Sequence, residues 1–297
     1  MSSISNYQIR AALLPTEKIL PLLVASSEEL FSDKGISVEL EVIRGASLRD
    51  EAAGQEKYDC YMMNLVSVVL AYLDGSDLKA TRVLLRSSQD HTLFRLLARP
   101  GLLIHPRRNS EPFRLGISRH TVVEYVTFHF MNVLGLTMGD LTIVDIPDIE
   151  ARLNLLLKGE LDYATLPEPM ASSAVDAGAF NIIDDTRIVV PPPVLAFHAS
   201  VLNSKAEAVR DFLAAIDSAA LLINSEPNRF RHLLTDYHLL PGDHTASYVV
   251  PRFPVGDVPN LDDIECIFSW LQASHREATA LPSSSKAIET ILFSVDS

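Results

Sequence analysis

Cysteine is nearly absent from this chain: Cys60 and Cys266 are the only two among 297 residues. A disulfide framework of the kind that staples small secreted domains is therefore excluded, and neither thiol has a second ligand at metal-binding spacing. Cys60 lies in the apolar run Tyr58-Asp-Cys-Tyr-Met-Met63 and Cys266 in an apolar helical pattern before Trp270, so both read as inert core thiols. Long apolar runs are missing too. The longest, such as Leu65–Leu73 and 219–223, fall far short of the roughly 20 residues that a membrane-spanning helix needs. Positive charge is also scarce. Lys plus Arg is 25 against 38 Asp plus Glu, a net charge of 25 − 38 = −13, and the one local basic pair is Arg107-Arg108. Such a surface repels phosphate backbones, so no nucleic-acid partner is expected.

Several catalytic signatures are absent as well. There is no Gly-rich phosphate loop and no Gly-x-Ser-x-Gly elbow. The histidines keep no metal spacing; the steps from His232 to His238 and on to His244 fit neither i+3 nor i+4 pairing. No catalytic residue, metal or cofactor is expected. The start, Met1-Ser-Ser-Ile-Ser, has neither the charged segment nor the apolar core of an export signal. That leaves a cytosolic protein, or an exported one whose signal has been removed.

What is present is a chain that is 47% hydrophobic and 21% charged, the balance of a globular protein with a sizeable core. Strand and helix patterns alternate. Residues 7–14 alternate as a strand, 19–31 follow as an amphipathic helix ended by Gly35, and 38–43 form the next strand. A short helix over 48–56, a strand over 58–63 and a helix over 66–73 complete a βαβα rhythm. That rhythm predicts mostly parallel sheets flanked by helices.

The rhythm returns 103 residues later. The offset places Arg49 on Arg152, Asp59 on Asp162, Ala71 on Ala174 and Gly75 on Gly178 without a gap. Strand 38–43 falls on 141–146, and both units reach an x-Asp-aromatic step, at Tyr58-Asp59-Cys60-Tyr61 and Leu161-Asp162-Tyr163. Two similar α/β units are therefore expected. Residues 100–112, rich in Pro and polar residues, read as a surface connection. Pro191-Pro192-Pro193 cannot supply a central strand's donors and reads as a stiff joint into a strand over 194–198. Helices follow over 206–224, 228–236 and Leu261–Ala273, then a polar tail. The first lobe is expected to comprise 1–94 with 198–297 and the second 95–197, with crossings near 93–99 and 193–197. A cleft between two such lobes would be lined by the loops after Leu14, Ile43, Met63, Ile117, Ile146 and Leu166, because ligands sit beyond the carboxyl ends of the strands.

The segment most suggestive of chemistry follows Leu115-Gly-Ile-Ser118. Thr121-Val-Val-Glu124 matches a capping box, and a helix starting there points amides and positive partial charge at Ser118, Arg119, His120 and Thr121. Asn64, directly after a strand, offers both a donor and an acceptor. Arg44, before Gly45-Ala46-Ser47, is suited to clamp an anion. Glu168, between Pro167 and Pro169, suits an amine or ring N–H. Thr16 lies in the loop after the first strand, and His91, with Gln89 and Asp90, precedes the first crossing.

The stretch Gly116-Ile-Ser-Arg-His-Thr-Val-Val-Glu-Tyr125, then Ile146-Pro147, Arg152-Leu-Asn-Leu-Leu-Leu-Lys-Gly-Glu-Leu-Asp162 and Ala164-Thr-Leu-Pro-Glu-Pro-Met170, resembles the substrate-binding components of ABC importers. The branch is that of the nitrate, sulfonate, taurine and thiamine-pyrimidine binding proteins. The resemblance continues over 31–43, 59–65 and Pro251-Arg-Phe-Pro254, and so covers nearly the whole chain. It implies a type II periplasmic-binding fold with two crossovers, a small polar organic ligand or anion, and a monomer outside the cytoplasmic membrane that delivers its ligand to an ABC permease. Three features depart from the pattern: no signal is visible, Pro15-Thr16-Glu17 lacks an aromatic to stack on a ring, and the cysteine-rich motif of the yeast pyrimidine-synthesising relatives is absent. The rival expectation is a cytoplasmic enzyme of the same fold, a chorismate-type dehydratase of menaquinone biosynthesis. If two lobes hinge on a ligand, small-angle scattering will show a smaller radius of gyration at saturation. Calorimetrically confirmed binding with no such change would remove the hinge.

Overall fold

The structure is a computed structural model that describes residues 7–102, 112–240, 248–274 and 284–293. Its strands are β1 (Tyr7–Leu13), β2 (Ile36–Val42), β3 (Cys60–Asn64), β4 (Leu78–Val83), β5 (Phe94–Ala98), β6 (Phe113–Ile117), β7 (Leu141–Asp145), β8 (Tyr163–Pro167), β9 (Phe180–Asp184) and β10 (Pro193–His198). The helices are α1 (Leu20–Ser27), α2 (Leu30–Asp33), α3 (Ala46–Gly54), α4 (Leu65–Leu73), α5 (Val122–Leu134), α6 (Ile149–Leu157), α7 (Met170–Asp176), α8 (Ala199–Ser204), α9 (Ala206–Ser225), α10 (Arg231–Asp236), α11 (Leu261–Ala273) and α12 (Ser284–Ile291). The strands form two five-stranded sheets, β2-β1-β3-β10-β4 and β7-β6-β8-β5-β9. In each, one strand from a distant part of the chain, β10 or β5, runs antiparallel to both neighbours. The expected α/β architecture of mostly parallel sheets flanked by helices is what the chain forms.

The chain divides into two compact units. One gathers the described residues up to Arg86, Pro191–Leu239 and those from 248 onward; the other is built on Ser87–Val190. Of the segments expected as crossings, 93–99 holds a strand that was not expected, and 193–197 falls in the strand expected over 194–198, which begins one residue earlier. Residues 94–98 pair as β5 with β8 and β9, and Pro193–His198 pairs as β10 with β3 and β4. The chain changes unit earlier, at Arg86/Ser87 and at Val190/Pro191. The segment Phe94–Ala98, just before Pro100, reads as a linker until its antiparallel ladder is seen. Pro193 is tolerated because it opens its strand, where a missing donor costs least.

Other boundaries shift for local reasons. The helix expected over 19–31 is broken, because Glu29 adopts a left-handed conformation (φ 59°) between α1 and α2. The polar tail expected after 273 contains α12. Residues 103–111 of the connection, with Arg107 and Arg108, lie outside the described residues, as do His105, His244 and His275. Both cysteines are free; Cys60 is fully buried, which pushes its thiol pKa up, and Cys266 is half-buried. Long helix α9 buries Val209, Phe212, Leu213, Ile216 and Ala220 at helical spacing. Phe212 stacks on Phe31 at 5.3 Å between ring centroids and meets Phe197 of β10 edge-on at 6.1 Å.

The four residues repeated at an offset of 103 stand in matching places. The Asp59 N–H donates to Arg10 O while its Oδ2 accepts the Arg10 N–H (2.9 and 3.0 Å). Asp162 does the same with Arg114, at 3.0 and 2.9 Å. The second oxygen meets a cation in each case, Lys205 for Asp59 and Arg99 for Asp162. Each carboxylate thus ties its unit's first parallel strand to the basic residue beside it. Gly75 and Gly178 share positive φ (90° and 96°) after α4 and α7. Asp162→Ala should cost the second unit about 2 kcal/mol, the range of a charged hydrogen bond, and Asp162→Asn clearly less because it keeps one acceptor. Equal losses for the two variants in urea denaturation would show that the charge is the whole effect.

Candidate functional site

In the first unit, polar side chains collect just past the carboxyl ends of β1, β2 and β3. Thr16 opens a 3-10 turn (Glu17–Ile19) with extended backbone, yet its hydroxyl caps nothing. It is buried and its Oγ1 has no partner. Glu17 and Lys18 follow, both buried, with Lys18 Nζ 2.8 Å from Glu17 Oε1 and Glu17 Oε2 unpartnered. An unmet buried acceptor is costly unless something donates to it. Arg44 is exposed. Asn64 is committed within the unit: its Oδ1 accepts the Val66 N–H as the N-cap of α4, and its Nδ2 donates to Pro191 O at 2.9 Å.

In the second unit, the equivalent edge begins at Ser118. The main-chain bonds that close the two edges match, Ile43 N–H to Leu13 O (2.7 Å) and Ile146 N–H to Ile117 O (2.8 Å), which aligns Leu14 with Ser118. Ser118 is buried and its Oγ is unpartnered. Arg119 and His120 are exposed, and their main-chain N–H groups donate to Asp145 Oδ1 (2.9 Å) and Glu124 Oε2 (2.7 Å). Thr121 caps α5: its Oγ1 accepts the Val123 N–H and donates to Ser118 O. The expected capping box is not formed. Glu124 reaches the His120 N–H rather than that of Thr121, because His120 turns left-handed (φ 59°) and presents its amide first.

Glu168 sits at the end of β8 and is buried. Its Oε1 pairs with Arg95 Nε at 2.7 Å and its Oε2 accepts the Ser172 N–H at 3.0 Å. The half-exposed His91 donates its N–H within a turn to Ser88. The structure therefore brings Ser118–Thr121 together with Asp145 at one strand edge, and Glu168 with Thr92 and Arg95 at another. Sequence reasoning passed over Glu17, Lys18 and Arg152. Adjacent opposite charges such as Glu17-Lys18 read as a solvated pair, and an arginine on a helix reads as surface. Only their placement reveals their burial.

The model of the NMT1-like family matches residues 4–233. The chain belongs to the NMT1-like family. No curated protein sequence matches it. Among solved structures, this NMT1-like chain is similar to a ligand-binding component of an ABC-type import system from Staphylococcus aureus, solved with zinc bound. That match has 14% identity and a TM-score of 0.78, and covers 97% of each chain. It is also similar to the alkanesulfonate-binding protein SsuA of Xanthomonas axonopodis pv. citri bound to MOPS, at 13% identity and TM-score 0.78, covering 97% of this chain and 98% of that one. A Candida albicans protein described as having the generic periplasmic binding protein fold matches at 12% identity and TM-score 0.76, over 96% of each chain. The fold of the NMT1-like chain is thus that of the periplasmic binding proteins.

One buried carboxylate of this NMT1-like protein titrates in an accessible range. Asp185 is 1% exposed, and its Oδ2 accepts the N–H groups of Leu93 and Phe94 at the start of β5 (2.9 and 3.0 Å). Burial pushes its pKa from 3.8 up to about 6, against the lowering effect of those hydrogen bonds and that of Ser87. Because the folded value lies above the unfolded one, the folded state holds a proton between pH 4 and 6 that the unfolded chain releases. Stability from this group is present below pH 4 and falls as pH rises to about 6, by at most about 3 kcal/mol. Asp185→Asn keeps an acceptor without the charge. Its stability relative to wild type should be clearly better at pH 8 than at pH 4, and an equal difference at both values would refute the assignment.

Proposed function

We propose that this protein is the solute-binding component of an ABC importer. It takes up one small polar organic ligand or anion outside the cytoplasmic membrane and hands it to a membrane permease. The observation that carries this reading is the pair of unmet polar edges: Thr16 Oγ1 and Glu17 Oε2 after β1, and Ser118 Oγ after β6. They follow corresponding strands of the two units, β1 and β6, beyond the carboxyl ends, where open α/β sheets bind ligands. Buried polar atoms without partners are uncommon in folded proteins, so such atoms at a strand edge favour an occupant there.

Each residue has a role in this reading. Ser118 and Thr16 supply hydroxyls. Thr121 sets the start of α5 by accepting the Val123 N–H, and the dipole of that helix favours an acceptor group there. Arg119 and His120, exposed and adjacent, contribute at the rim, as do Arg44 and His91. Asn64 and Glu168 hold their loops in shape through bonds already made, and touch the ligand only with what capacity remains. The solved structures similar in fold are described as binding proteins, which supports binding over the dehydratase expectation. No helix among the described residues is long and apolar enough to cross a membrane.

Native mass spectrometry of the protein as purified, without a denaturing step, should show a population heavier by one small molecule. Ser118→Ala should weaken binding of that molecule by about 1 kcal/mol, roughly fivefold, at an unchanged melting temperature. A protein that carries no small molecule, and whose Ser118→Ala variant responds like wild type to every solute of a transport-substrate panel, would sink the reading.

A further inference from the structure

Arg49 and Arg152 stand 103 residues apart at equivalent places in the two units, but their guanidinium groups meet different partners. Arg49 donates Nη1 to Met62 O (3.0 Å), while its Nε and Nη2 meet Asp50 Oδ1 and its Nη2 also lies 3.4 Å from Ser67 Oγ. Its charge is matched. Arg152 donates Nη1 to Ile146 O (2.8 Å), but its Nε and Nη2 have no partner although the residue is 0% exposed. At the same offset, Asp50 is replaced by Leu153 and Ser67 by Met170. The nearby carboxylates are engaged elsewhere: Asp145 takes the Arg119 N–H, and Asp148 takes the Ala151 N–H as the cap of α6.

The position of Arg152 is set by its contacts. Its Cγ and Cδ lie 3.2 and 3.5 Å from where a Cβ on Gly116 would stand, and its Nη1 reaches the carbonyl just past β7. The guanidinium therefore lies at the carboxyl ends of β6 and β7. Ser118 lies two residues beyond Gly116 and directly follows β6, at the same strand end. Its buried Oγ is likewise unpartnered. Burial lowers the pKa of Arg152 to about 10, which leaves it charged at neutral pH. A buried guanidinium with two idle donor nitrogens is costly unless it meets an acceptor, and its planar fork fits an oxyanion in bidentate fashion.

Resting on the proposed binding function, we infer that Arg152 and Ser118 form an oxyanion subsite, so that the ligand presents a carboxylate or sulfonate to the second unit. Ethanesulfonate and acetate serve as probes in thermal-shift titrations at constant ionic strength, with neutral ethyl methyl sulfone as the control. At least one of the two anions should raise the melting temperature of wild type saturably, and the sulfone should not. Arg152→Gln should weaken the anion response at least tenfold. Leu153→Asp, which supplies the carboxylate that Asp50 gives Arg49, should do the same while keeping cooperative unfolding. If Arg152→Gln fails to fold, Leu153→Asp decides. A response equal for sulfone and anions, no saturable response to either anion, or wild-type affinity in the variants would overturn the subsite. A variant that still carries the co-purified molecule at wild-type occupancy would defeat the subsite and leave the binding function standing; a wild type that carries none would defeat both.

Discussion

Strands buried on both faces leave polar chemistry only at their ends. In β3 only the last residue escapes full burial, and β8 and β10 are buried along their whole length. Hydrophobic packing on both sides of each sheet fixes these strands and removes any polar side chain that lacks a partner from their middles. Polar groups must then collect at the edges, either as caps and ties or as groups waiting for something else. Asn64 and Glu168 are of the first kind, with their polar atoms spent within their own units. Thr16, Glu17 and Ser118 are of the second.

The internal repeat separates scaffold from function. Where both units need the same strand clamp, they keep the same residue, as at Asp59 and Asp162, whose main-chain and side-chain bonds to the first strand match within about 0.1 Å. Arg49 and Arg152 keep the residue but not the neighbourhood. One guanidinium is neutralised by the next residue in sequence, and the other is left with unmet donors in a fully buried place. A purely structural role would be expected to retain the neutralising partner in both units, since an unpaired buried charge is expensive.

The architecture was largely legible in the sequence because its signals are periodic and local. The alternation of short apolar runs with amphipathic segments and the turn glycines act over a few residues, and the repeat shows as one fixed offset of 103. Strand β5 was read as a joint because its defining feature, an antiparallel ladder to strands dozens of residues away, has no local trace, whereas β10 was expected from 194 and begins one residue earlier. Of the site, the stretch Ser118–Thr121 was found from its helix-start pattern, although the capping carboxylate reaches one residue earlier than the pattern implies. Glu17 and Arg152 were missed, since a charged residue shows its burial only when the chain is folded around it.

The central claim is that the unmet polar atoms at the carboxyl strand ends are completed by a bound solute. A crystal structure of the protein purified without denaturation tests it most directly. The account predicts non-protein density within about 2.7–3.2 Å of Ser118 Oγ, or of Thr16 Oγ1 and Glu17 Oε2. Strand ends filled by ordered water alone, with a bound solute at the amino ends of the sheets or elsewhere on the surface, would contradict it.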